Sequence, residues 1–236
     1  MTINGTNISQ YGAKQHHFNI GHCDAKNNSE WVNAAPLPHM EVSYVGFKQI
    51  DVDFIIKGSG REEIITNRGK LLAAIMEPAD IVLDGYSHHF KVIMKSHKEN
   101  EISMRRFHKL SVSFIGYEYG SEVRRTGSGT LSATNPGTII SPVLLSITPV
   151  SSKSNVTITG LCRNPRTGVD LPVHMSTVTA GREIILDGAN GLFLEGGYLK
   201  PDIDIKCPPA VAPGAVNVVC SDSSAALDMT ILPLYM

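Results

Sequence analysis

The sequence predicts a mainly β protein, with an N-terminal antiparallel β domain carrying one α-helix and a C-terminal all-β sandwich after it. Three observations lead there. Residues 50–56 alternate with the period of a half-buried strand; one stretch, Arg61 to Met76, repeats apolar residues at helical spacing; and 21 Gly and 13 Pro in 236 residues break the rest into short segments. The 42% apolar share can build cores that offset chain entropy, which excludes a disordered chain. The longest apolar stretches, such as 139–147, are interrupted by Ser and Pro and fall short of the ~20 residues of a spanning helix, so no membrane insertion is expected. A net charge of −1 argues against a protein whose task is to grip nucleic acid.

Taken in order, Met1-Thr2-Ile3-Asn4-Gly5 lacks the basic start and apolar run of an export signal, so synthesis in a cytosol is the expectation. Ile3 to Ile8 reads as the start of a hairpin, with Asn4 and Gly5 supplying the turn. The polar, His-rich stretch from Gln15 to Glu30 has the composition of a surface arm, and Pro36 and Pro38 mark a second irregular passage. Ile50, Val52, Phe54 and Ile56 then alternate with Asp51, Asp53, Ile55 and Lys57, the cleanest strand in the chain. Ser59 and Glu62 have capping-box spacing; beyond them Ile64, Ile65, Arg68, Leu71, Leu72, Ile75 and Met76 share one helical stripe, which Glu77-Pro78 ends. Ile81 to Leu83, the Asp84-Gly85 turn and the alternation of Tyr86, His88, Phe90, Val92 and Met94 read as a hairpin, and Leu110, Val112 and Phe114 as the next strand.

Arg124 to Gly137 is rich in Gly, Ser and Thr, the composition of a flexible connection. It sets the expected boundaries: one domain over 1–123, a linker over 124–137 and a second domain over 138–236. The second domain shows no helical stripe. Short strands recur at 143–147, 156–158, 184–186, 192–194, 203–205, 216–219 and 227–231, separated by pairs such as Asn190-Gly191 and Pro213-Gly214, the signature of a sandwich or jelly roll.

Chemistry-bearing residues give little support to an enzyme. His16, His17, His22, Cys23 and Asp24 form one cluster in sequence and His88, His89, His97 and His108 another, but neither has a metal-ligand spacing, and adjacent strand residues His88 and His89 point to opposite faces. No metal or cofactor is expected. Asp51 and Asp53 share a strand face that reads as solvated; Gly58-Ser59-Gly60 lacks the Lys of a phosphate cradle; and no catalytic motif is spelled out. Arg105-Arg106 and Arg124-Arg125 are candidate anion contacts and Trp31 a candidate interface anchor, each weighed against an ordinary solvated loop or core position. Cys23, Cys162, Cys207 and Cys220 form no CxxC pair, which leaves free thiols or a bridge of Cys220 to Cys162 or Cys207 open.

The order of these elements resembles the distal tail proteins, called Dit, of long-tailed, non-contractile bacteriophages. The runs 47–58, 80–86 and 110–119, with the helix from Arg61 between them, are similar to that family's N-terminal belt domain; the runs 156–160, 179–188 and 208–217 are similar to its galectin-like sandwich. The resemblance implies a structural virion protein at the tail tip, a hexameric ring joining the tail tube to the tip or baseplate, through which DNA passes without being read. It implies as partners further copies of the chain, the tail tube and tape-measure proteins, and the tail-associated lysin and tip proteins. The arm over 15–30 departs from the family pattern, and no insertion interrupts the galectin-like half. A carbohydrate-binding module is the rival reading, weakened because the second domain holds only Phe193, Tyr198 and Tyr235 as aromatics.

Overall fold

The computed structural model describes residues 1–23, 25–26, 29–30, 39–40, 44–101, 106–164 and 167–236. The chain divides into two compact units, Met1–Tyr119 together with Met236, and Gly120–Tyr235. Among the described residues no helix is long and apolar enough to cross a membrane.

The first unit comprises β1 (Thr2–Ile3), β2 (Thr6–Asn7), a 3-10 turn (Ile8–Tyr11), β3 (Ala13–Ile20), the short strands β4 (Ala25–Lys26), β5 (Ser29–Glu30), β6 (His39–Met40) and β7 (Tyr44–Val45), then β8 (Lys48–Lys57), α1 (Arg61–Ile75), β9 (Ala79–Val82), β10 (His89–Glu101) and β11 (Phe107–Tyr119). Its main sheet is antiparallel in the order β2-β1-β9-β10-β11-β8-β3. The expected alternation holds along β8: Ile50, Val52, Phe54 and Ile56 are buried while Asp51, Asp53 and Ile55 take the other face. Leu110, Val112 and Phe114 continue the inner face on β11, and Ile64, Leu71 and Ile75 of α1 join the same core. Each fully buried Phe54, Phe90 or Phe114 contributes roughly 1.5–3 kcal/mol by leaving water.

Local details differ from expectation in three places. The helix begins at Arg61 as expected, but Ser59 pairs with Glu63, not Glu62: the Ser59 amide donates to Glu63 Oε2 at 2.7 Å, and the N-cap is the extended Gly60. The predicted apolar stripe is too wide, because Ile65 and Met76 are exposed. The His-rich arm is in part a strand, since β3 pairs with β8 from Ala13↔Ile56 to Ile20↔Ile50 with a register shift between Gln15 and His17. Its polar composition reflects an edge position with one face wet. At the start, Asn4 (φ 48°) and Gly5 (φ 75°) both lie in the left-handed region, the geometry of a two-residue hairpin turn between β1 and β2.

The second unit is a β-sandwich of β12 (Val123–Ser128), β13 (Thr130–Asn135), β14 (Ser141–Thr148), β15 (Lys153–Thr159), β16 (Val173–Val178), β17 (Ile184–Asp187), β18 (Leu192–Glu195), β19 (Tyr198–Leu199), β20 (Ile203–Asp204), β21 (Ala210–Val211), β22 (Gly214–Cys220) and β23 (Ala226–Ile231); the short β24 (Leu234–Tyr235) follows and belongs to neither sandwich sheet. One sheet runs β12-β23-β14-β17-β18-β19, with β21 also on β14; the other runs β13-β22-β15-β16-β20. Leu145, Leu186 and Met229 from the first meet Ile158, Met175 and Val218 from the second in one buried core.

The expected linker over 124–137 is not a linker. Val123–Ser128 pairs with β23 in one sheet and Thr130–Asn135 with β22 in the other, so this segment carries the chain across the sandwich. Gly129 (φ 65°) makes the corner, where a Cβ would lie 2.6 Å from Ser223 Cα. Small residues suit such a corner, and the same composition reads as a flexible tether when only the sequence is in view.

Gly160 is a second backbone constraint, with φ +87° and a Cβ position 2.0 Å from Asn217 O on β22. Gly160→Ala combines strained backbone with a backbone clash and is expected to lower the second unit's stability by about 2–3 kcal/mol. Differential scanning calorimetry should show that unit's transition moving down while the first unit's stays in place.

Candidate functional site

Two polar assemblies organise the first unit. On the outer face of the sheet, the β8–β11 register sets Asp53 opposite Ser111 and Asp51 opposite Ser113. Ser111 Oγ donates to Asp53 Oδ1 and Ser113 Oγ to Asp51 Oδ1, both at 2.6 Å, and Lys109 Nζ lies 2.8 Å from Asp53 Oδ2. Burial pushes the Asp53 carboxyl up, but the bonds from Lys109 and Ser111 outweigh it and hold the group below its ordinary value. A carboxylate held that way is a weaker base than a free one toward the Ser111 hydroxyl it accepts from. The face expected to be simply solvated is thus a ladder of cross-strand bonds beside a shallow depression of about 220 Å³ that reaches Ser96 and Lys98 on β10. Further along the same sheet, Ile93 and Tyr117 are exposed, and the Tyr117 and Tyr119 rings lie 6.1 Å apart.

The second assembly sits on the inner face and was not anticipated. Glu118, 2% exposed, accepts from the Lys48 ammonium, from Tyr86 OH at 2.9 Å, and pairs with His88 Nδ1 at 2.5 Å. Burial alone would raise the Glu118 pKa; the Lys48, His88 and Tyr86 bonds outweigh it and bring it below the usual carboxylate range. Tyr86 is pushed up to about 12, first by burial and then by the Glu118 bond and charge. Burying an ion pair is costly unless its remaining bonding sites are filled, and here two further partners fill them. The signal that would have found it is phase. Lys48 and Glu118 both fall on the inward phase of their strands, charges of opposite sign where apolar residues belong.

The other candidate residues do not converge. His88 bonds Glu118 while His89 Nδ1 lies 3.6 Å from Asp80, in keeping with their opposite directions. His16 and His17 sit at the β3 register shift, and the β10–β11 register sets the backbone of His108 opposite that of Glu101. Among the described residues no group of three or more His, Cys, Asp and Glu comes together to hold a metal. Asp24, Trp31 and Arg105 lie outside the described residues. Arg124 pairs with Asp228 across β12 and β23, which makes it a cross-strand partner rather than a free anion contact. In the second unit Lys200 is buried and reaches Thr177 O at 2.6 Å, Glu195 at 2.8 Å and Asp202 at 2.9 Å; its bond holds Asp202 down at about 2.

No family model matches this chain, and no curated protein does. Among solved structures, it is similar to the SPP1 Dit (gp 19.1) protein, described as a paradigm of the hub adsorption apparatus of phages infecting Gram-positive hosts, with a TM-score of 0.74 over 99% of this chain and 98% of that one at 12% identity. The fold is that of a phage Dit protein. A second likeness, to the phage P2 baseplate in its activated conformation with Ca, has a TM-score of 0.50, 10% identity and coverage of 95% and 92%.

The Dit fold here carries its buried charges as internal struts, each matched within its own unit. Of the second unit's aromatics only Tyr198, at 78%, is strongly exposed; it lies with Leu199 on β19, at one end of its sheet, whereas Phe193 packs against the core.

Glu118→Gln removes the counter-charge of a buried ammonium and is expected to destabilise the first unit by about 3–5 kcal/mol. Because the folded pKa of Glu118 is lowered, its contribution is complete above the unfolded value of about 4.3 and is lost as pH falls from there through the folded value. Urea unfolding from pH 7 to pH 3 should therefore show a steeper acid loss in the parent chain than in Glu118→Gln.

Proposed function

We propose that this chain is a structural, non-enzymatic protein of a phage tail: a hub that forms a homo-hexameric ring and joins the tube of a long, non-contractile tail to its tip or baseplate. The observation that carries the reading is the extent of the likeness, since one Dit protein follows both units over 99% of the chain. A likeness to sandwiches in general would account for the second unit alone. In this reading the first unit is the belt domain and the second the galectin-like domain. The protein is made in the host cytoplasm and ends at the tail tip, in contact with the tail tube, tape-measure, lysin and tip proteins.

Physical features agree with that role. A cyclic ring is built from heterologous contacts, so each subunit presents two unlike surfaces. The first unit's sheet supplies unlike ends, the short β2 and the longer, polar β3. The carboxylates that could do acid–base work are engaged by Ser, Lys and Tyr partners within the fold. Near-neutral charge suits a conduit that DNA crosses without adhering. The carbohydrate-binding alternative rests on a single exposed ring, Tyr198, which is a small platform for stacking a sugar.

Immunogold labelling of intact virions with antibody to this chain is expected to mark the distal end of the tail, and averaged images of that end should show one ring with sixfold symmetry. Label along the tube, on fibres only, or absent from the virion would overturn the reading.

A further inference from the structure

The second unit places two thiols side by side that are far apart in sequence. Ala210 N donates to Leu161 O at 2.7 Å, which holds the chain around 162 against the turn over 206–209. Within that junction Cys162 Sγ donates to Cys207 O at 2.9 Å, and Cys207 Sγ in turn lies 4.0 Å from Arg163 O, so each thiol faces the backbone at or beside the other cysteine. Cys162 is 2% exposed, whereas Cys207 is half-buried and flanked by Lys206 and Pro208 at the surface. Cys220, the other cysteine of this unit, is buried on β22 next to Asp222.

We propose that Cys162 and Cys207 form an oxidisable dithiol that closes to an intramolecular disulfide when the protein meets a low-molecular-weight disulfide. The difference in access sets the order of events. Burial, followed by the neighbouring Cys207 thiol, pushes Cys162 up to about 12, so it stays protonated and shielded. Cys207 as thiolate attacks one sulfur of the small disulfide, forming a mixed disulfide and releasing one small thiolate. That thiolate takes the proton of Cys162, whose sulfur attacks Cys207 and expels the second small thiolate. Two protein thiols are oxidised and one small disulfide is reduced to two thiols. The bond closes a loop between positions 45 apart in sequence and ties the 206–209 turn to the sandwich. The inference stands on the geometry of the second unit and does not depend on the tail role. Where that role holds, passage from cytosol to medium supplies the change in redox environment.

The test treats the purified full chain with oxidised glutathione, quenches it in acid and denaturant, alkylates the remaining thiols and maps the peptides. The expected result is a loss of two thiols, a cross-link between Cys162 and Cys207, and alkylated Cys23 and Cys220. Trypsin leaves Cys207 and Cys220 on one peptide, so Cys220→Ser is mapped in parallel and must give the same cross-link. A glutathione adduct that persists on Cys207 with Cys162 still alkylated, or a cross-link that disappears in Cys220→Ser, overturns the proposal. The oxidised chain should also unfold about 5 °C above the reduced one, a gap that vanishes in Cys207→Ser. Persistence of the gap in that variant overturns the proposal as well.

Discussion

The first unit depends on one constraint: α1 covers one face of its sheet, so every strand beneath it must keep its apolar residues in phase. On β8 a slip of one residue would send Asp51 and Asp53 inward and bring Ile50, Val52, Phe54 and Ile56 out. Four inward residues at roughly 1.5–3 kcal/mol each, together with the cost of burying two carboxylates, make that register decisive. The neighbouring strands inherit it. Phe114 is set opposite Ile50 and Leu110 opposite Phe54 on β11, while Phe18 is set opposite Val52 on β3. The same register brings Gly116 opposite Lys48, which leaves Glu118, two residues on, at the same end of the inner face to receive the Lys48 ammonium.

This explains which parts of the fold were legible in the sequence. Strands covered by the helix announce themselves, because one buried face enforces strict alternation; β8 and the core of β11 were plain for that reason. Among its described residues the second unit has no helix, and its two sheets must cover each other, so the chain has to cross between them. The crossing over 123–135 places few apolar side chains inward, chiefly Leu131, and is held in both sheets by backbone pairing. Backbone pairing leaves no mark on composition. Asn135 shows the same limit: it is buried, donating to Val211 O and Ala212 O and accepting from Gly137 N and Ser141 Oγ, yet in sequence it is an ordinary turn residue before a proline.

The polar assemblies divide in a similar way. Asp51 and Asp53 were visible as a pair, but their serine partners lie about sixty residues away on β11 and become neighbours only through strand register. Glu118 and Lys48 were legible in principle, as opposite charges on inward phases, because a lone charge at such a position would be prohibitively costly. The contact between Cys162 and Cys207 was not. It arises where β21 leads out of a Pro-Pro turn to pair with β14, a connection with no periodic signal.

A chain can share a fold with another at 12% identity while matching no family model, and the constraints above show why. What they demand is an inward apolar phase, a few glycines where a Cβ would strike backbone, and internal partners for any buried charge. Many residue choices meet the first demand, since Ile, Val, Leu and Phe are nearly exchangeable where volume is kept. The glycines are the stricter positions. At Gly160 and Gly188 the added carbon would fall within 2.0 Å and 1.8 Å of a backbone oxygen, so another residue requires the neighbouring strand or turn to move. Shape comparison detects the geometry that such positions enforce, whereas letter-by-letter comparison is dominated by the many positions that only need to be apolar or polar.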